Sequence, residues 1–139
     1  MYIKAVLKAA RQGVEKSGKK VIAVMQPHRF TRLRDLFDDF CTCFNDADSV
    51  IIADVYPAGE EPLEGADKES LVTGILNKGH KAAQVLPDID SLASIVVNEA
   101  EEGDFVICLG AGSISSWAYD LPAQLDKEFS KRIESKGAA

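Results

Sequence analysis

Four short apolar runs alternate with stretches of helical spacing, and that alternation restricts the fold more than any other feature of the chain. Val21-Ile22-Ala23-Val24-Met25 is the clearest run, preceded by Lys19-Lys20 and ended by Pro27. A strand that is apolar on both sides must be covered on both sides, as in the parallel sheets of α/β folds. Ser49 to Val55 and Phe105 to Leu109 repeat the pattern, and Ala82 to Leu86 is a weaker version. A first helix is expected over residues 2–17, with Ile3, Val6, Leu7, Ala10 and Val14 on one stripe and Gly18 behind it. Thr31 is expected to cap a second, lined by Leu33, Leu36, Phe37, Phe40 and Phe44. Asp67 is placed as the cap of a third helix ended by Gly79, and Asp90 as the cap of a fourth ended before Gly103. Gly110-Ala111-Gly112-Ser113 then opens a short helix through Trp117 and Tyr119, Leu121-Pro122 interrupts it, and a last helix leads to a frayed tail, Ser135 to Ala139. The expected architecture is an α/β, three-layer, Rossmann-like domain, a mainly parallel sheet with helices on both faces. Residues 1–139 fit one domain.

Composition removes several function classes. The net charge of −6 offers no broad basic surface for nucleic acid. No apolar run approaches the roughly 18–20 residues of a membrane span, and the first residues do not lead into a signal-peptide core, so a cytoplasmic protein is expected. Cys41, Cys43 and Cys108 are an odd set, read as free thiols. Neither they nor His28 and His80 show metal-ligand spacing, so no metal site is assigned.

Parallel α/β sheets bind ligands at the C-terminal ends of their strands. Three loops therefore become candidates. In Gln26-Pro27-His28-Arg29-Phe30-Thr31-Arg32, arginines cluster beside a histidine: Arg29, Arg32 and Arg34 are three of the chain's five. Guanidinium forks match carboxylate and phosphate oxygens, and the start of the next helix adds N–H donors. Arg32 and Arg34 would then sit in a first helical turn, where the dipole disfavours cations. The bland alternative is a solvated turn paired with Asp35, Asp38 or Asp39. The second loop runs from Asp54 through Tyr56 to Pro62, and Asp54 can meet a metal through water, pair with the arginines, or serve as a structural acceptor. The third, Gly110 to Ser113, can form an anion nest, but it falls short of a dinucleotide fingerprint, and tight turning is the simpler reason for its glycines. There is no G-x-x-x-x-G-K-[ST] loop and no evident nucleophile beside His28.

The run Val24 to Arg32, then Asp54-Val55-Tyr56-Pro57-Ala58-Gly59-Glu60, Gly65-Ala66-Asp67 and Leu109 to Ile114 resembles the C-terminal domain of the Mur ligases, specifically the alanine-adding branch. The Gln-Pro-His-Arg-aromatic-Thr-Arg segment is its most specific part. The resemblance implies an ATP-dependent ligase that joins L-alanine to UDP-N-acetylmuramate in peptidoglycan synthesis, with magnesium present. It implies a UDP-binding N-terminal and an ATP-binding central domain outside this chain, and an isolated piece without activity. The uncapped start at Met1-Tyr2 suits a piece of something longer. It assigns substrate contact to His28, Arg29 and Arg32, with Asp54, Tyr56, Gly110 and Gly112 as supporting residues. Two other readings stay open: a stand-alone anion- or nucleotide-binding module, and the same domain of the related murein tripeptide ligase.

Overall fold

The computed structural model describes residues 2–110 and 112–137, with side chains to residue 131. Ala111 and the last two residues of the expected tail lie outside the described residues. Among the described residues four strands form one sheet: β1 (Val21–Gln26), β2 (Ser49–Ile52), β3 (Ala83–Val85) and β4 (Phe105–Gly110). Their order is β3-β2-β1-β4 and every pairing is parallel. The helices are α1 (Tyr2–Val14), α2 (Phe30–Asp35), α3 (Phe37–Thr42), α4 (Lys68–Asn77), α5 (Leu92–Glu99) and α6 (Ile114–Gly137).

The central strand shows why the apolar run has no alternation. Val21, Ala23 and Met25 join the core that also holds Ile3, Leu7 and Val14 of α1, Phe40 of α3 and Leu71 and Ile75 of α4. Ile22 and Val24 join the opposite core, with Leu92 and Val96 of α5 and Ile114 and Leu121 of α6. Each fully buried aliphatic side chain of this kind contributes about 1.5–3 kcal/mol, so covering both faces outweighs either helix's intrinsic propensity.

Several boundaries differ from expectation. The first helix stops at Val14, and Val6 is partly exposed rather than part of the buried stripe. The segment after β1 is two helices, because Leu36 leaves helical geometry at φ −113° and ψ 21°. Thr31 is not a cap; it is the second residue of α2, and Arg29 precedes the helix. Asp67 does cap α4, accepting from the Ser70 amide at 2.7 Å. Gly79 ends α4 in a Schellman motif, with Gly79 N donating to the Leu76 carbonyl and His80 N to that of Ile75. The next cap is Asp88 rather than Asp90: its carboxylate accepts from the Ser91 amide at the head of a 3-10 turn that leads into α5. Pro122 does not interrupt α6, which continues through it to Gly137, so residues 135–137 are helical rather than frayed. A proline inside a helix forfeits one backbone bond but leaves the flanking turns intact where side chains such as Leu121 anchor them.

Candidate functional site

The strand order fixes where a crevice opens. From β1 the chain moves to β2 and β3 on one side, then returns to place β4 on the other side of β1. The loops after β1 and β4 therefore diverge at the switch point, the position where parallel α/β sheets take ligands. Gln26 ends β1 opposite Gly110 at the end of β4.

That junction is tight. Gly110 has φ +127°, and a Cβ there would lie 2.3 Å from the Gln26 carbonyl oxygen. Buried Gln26 crosses the gap and accepts a hydrogen bond from the Ile114 amide at 2.9 Å, so its Oε1 caps the start of α6. Gly112, at φ +90°, lies flat against Tyr56; a Cβ would come within 2.7 Å of the ring. The glycines thus serve close approach, to the Gln26 backbone and to the Tyr56 ring.

Tyr56 ties the three loops together. Its amide donates to the Pro27 carbonyl and its carbonyl accepts from the Arg29 amide, both at 2.8 Å. Its ring stacks on His28 with centroids 5.5 Å apart and planes 10° from parallel. Arg29 has φ 71° and ψ 138°, a region sparsely populated by residues other than glycine. Such strain costs about 1–3 kcal/mol and persists only where surrounding contacts enforce it.

His28 and Arg32, with Tyr2, Ile3, Met25, Gln26, Phe40 and Gly110, line a cavity of about 190 Å³ under the start of α1. His28, Arg29 and Arg32 also face a shallower cleft with Thr31, Asp35 and Leu36. Arg34 pairs with Asp35 at 2.9 Å, as the bland reading expects, whereas Arg29 and Arg32 form no ion pair within 4.0 Å among the described residues. The dipole argument fails for Arg34, which lies in the last turn of the six-residue α2; Arg32, third from the start at Phe30, belongs to both the first and the last turn, so the dipole does not single it out. One N–H donor at the start of α2, that of Thr31, is already taken. The Glu60 carboxylate accepts from the Thr31 amide at 3.1 Å and from the Thr31 hydroxyl at 2.6 Å. Those bonds, the hydroxyl's foremost, hold the Glu60 carboxyl below its ordinary range, with smaller help from Arg29.

Asp54 stands apart from the arginines. It pairs with Lys68 at 2.9 Å, and the buried Lys68 ammonium also donates to the Leu86 carbonyl at 2.7 Å. Among the described residues no three His, Cys, Asp or Glu side chains converge on a point. Cys41 and Cys43 are buried, and burial pushes the Cys43 thiol up to about 12. His80 is held locally, its Nδ1 accepting from the Ala82 amide and its Nε2 facing the Ala47 carbonyl.

Three residues are given no role by the sequence, although Gln26 and Glu60 lie in segments named there. Gln26 carried a signal, being polar at the end of a buried strand; Lys68 carried a weaker one, a cation in a first helical turn. Glu60 carried none, because its partner lies 29 residues away in sequence.

Comparison with known proteins agrees with this geometry. Residues 2–112 match the family model described as "Mur ligase, glutamate ligase domain". The chain is 59% identical over 123 residues to a UDP-N-acetylmuramate–L-alanine ligase of Methylobacterium radiotolerans, covering 88% of this chain and 26% of that protein. It is 60% identical over 123 residues to the enzyme of the same name from Rhodopseudomonas palustris strain TIE-1, with the same coverage, 88% and 26%. The chain therefore spans about a quarter of the length of these relatives. A solved domain assigned to a UDP-N-acetylmuramate:L-alanyl-gamma-D-glutamyl-meso-diaminopimelate ligase of Haemophilus ducreyi superposes with TM-score 0.60 at 24% identity, over 89% of this chain and 81% of that one, which supports the fold. No helix among the described residues is long and apolar enough to cross a membrane. The parallel sheet, the matched segment and the identity to these relatives together establish that the chain belongs to the Mur ligase family as its glutamate ligase domain.

Proposed function

We propose that residues 1–139 act as one domain of an ATP-dependent ligase that joins L-alanine to UDP-N-acetylmuramate, and that this domain supplies the amino-acid side of the site. One observation carries the reading: Arg29 and Arg32 form no ion pair within 4.0 Å among the described residues and share a cleft with His28 at the switch point of the sheet. In this proposal Arg32 grips the alanine carboxylate through its planar fork. Arg29 offsets negative charge that grows on the reacting carboxyl and phosphoryl oxygens. His28, held flat against Tyr56, presents a ring nitrogen to the same space. Tyr56 acts behind them, with Gly110 and Gly112 allowing the loops to close up, while Asp54, paired with Lys68, takes no part.

ATP supplies the phosphoryl group that activates the carboxylate. This chain has no lysine-bearing phosphate loop, so nucleotide and UDP-sugar binding is assigned to other parts of the enzyme. The acids here do not suit magnesium, since Asp54 already faces Lys68 and no acidic cluster forms among the described residues. With a UDP-sugar and ATP as substrates, the proposal assigns the work to the bacterial cytoplasm.

A chimera tests the proposal. With this chain replacing the matched segment of the Methylobacterium radiotolerans ligase, ADP release should require L-alanine and UDP-N-acetylmuramate together. Arg32→Ala in that chimera should lower kcat/KM for alanine at least about tenfold, the loss of a charged hydrogen bond. A folded chimera indifferent to Arg32 removes the arginine from the site. Preference for a tripeptide donor over alanine would move the chain to the peptide-adding branch, and micromolar ATP binding by the chain alone would favour a stand-alone module.

A further inference from the structure

We propose that Glu60 is a positioning residue: from the loop after β2 it holds the start of α2 and thereby sets the places of Arg29 and Arg32, an assignment that rests on the function proposed above.

The basic loop does not hold itself. Arg29, the residue before α2, makes no side-chain capping bond and has a strained backbone. Apart from the first bond of α2 itself, the restraints on the loop described above come from residues 56–60. Tyr56 accepts from the Arg29 amide and stacks on His28. Glu60 takes both donors of Thr31, two residues further on. Glu60 is itself fixed by a tight turn: its amide donates to the Pro57 carbonyl at 2.9 Å, with Ala58 at φ 50° and Gly59 at φ 87° between them. Positive φ at both central residues is the geometry of a primed turn, which reverses the chain sharply. The turn therefore delivers the carboxylate back to α2 at a set place. One full turn of α2 beyond Arg29, Leu33 is 1% exposed and locked in the core, and its amide closes onto the Arg29 carbonyl at 3.2 Å. Fixed at Glu60 on one side and Leu33 on the other, α2 can present Arg29 and Arg32 in one orientation. Releasing Glu60 frees the first turn without disturbing the core.

Two readouts separate this assignment from a merely structural cap and from the function itself. In the chain as it stands, Glu60→Ala should speed amide exchange at Thr31 at least about tenfold, while Glu60→Gln, which keeps an acceptor, should change it less than about threefold. In the chimera, Glu60→Ala should lower kcat/KM for L-alanine by about tenfold or more with KM for ATP unchanged, and Glu60→Gln should restore most of it. Should Glu60→Ala fail to fold, Thr31→Val carries the test, since it deletes the hydroxyl partner of the same carboxylate. Unaltered Thr31 exchange overturns the proposal. So do wild-type kinetics in Glu60→Ala where Arg32→Ala is impaired. If Arg32→Ala is also silent, the function proposed for the loop fails instead.

Discussion

Gly110→Ala isolates the contact on which the switch point depends. Two terms act against alanine there. Its backbone has φ +127°, where a Cβ is strained, a cost of about 1–3 kcal/mol. The new carbon would also lie 2.3 Å from the Gln26 carbonyl oxygen. That oxygen belongs to the backbone of the central strand, in register with Gly110, so it cannot yield without pulling the β1–β4 ladder. Overpacking of this kind adds about 1–3 kcal/mol. The combined loss, about 2–6 kcal/mol, is a large part of the roughly 5–15 kcal/mol typical of a domain. With an unfolding entropy near 0.3 kcal/mol/K for a chain of this size, Tm should fall by about 7–20 °C. Gly59→Ala is the control, because Gly59 also has positive φ, at +87°, but a Cβ there meets nothing within 4 Å. It should lose only the strain term, about 1–3 kcal/mol. Thermal melts followed by circular dichroism, with urea midpoints as a check, measure both. Equal shifts for the two variants would show that the Gln26 carbonyl can move aside and that the contact sets nothing.

Gln26→Leu should cost about 1–3 kcal/mol by stranding the Ile114 amide, seen as faster exchange at that amide; unchanged exchange would mean another acceptor replaces it. Because Glu60 has a lowered pKa in the folded chain, its contribution to stability is present above its ordinary value of 4.5 and lost as pH falls through the lowered one. Urea midpoints of the parent and Glu60→Gln should therefore differ at pH 7 and converge in acid; a constant gap refutes the linkage. Cys43, buried and pushed up to about 12, should resist iodoacetamide at pH 8 in the native chain and react once urea unfolds it.

The sheet was legible because burial on both sides leaves an unbroken apolar run, as at Val21 to Met25. The caps were legible where the capping side chain is local, as Asp67 is to Ser70. They failed where it is not. Nothing near Thr31 says that α2 starts earlier and is capped by Glu60 from another loop, and that start moved Arg34 out of the first turn. Asp88 was passed over for Asp90 because a 3-10 turn intervenes before α5. The basic loop was found by its residue types, and the family resemblance drew it together with Tyr56, Gly110 and Gly112. The stack of His28 on Tyr56 and the separation of Asp54 needed the fold.

The order β3-β2-β1-β4 also governs how the chain is made. On the ribosome, β1 can pair with β2 early, but its other edge waits for Phe105 to Gly110, 84 positions later in register. Pairings that distant are slow to form. A nascent chain paused before residue 105 would hold a half-dressed central strand, sticky along one flank, and its arginines would have no crevice to face. The region proposed to meet substrate thus waits for β4, and translation pauses upstream of β4 are where this domain is most exposed to misassembly.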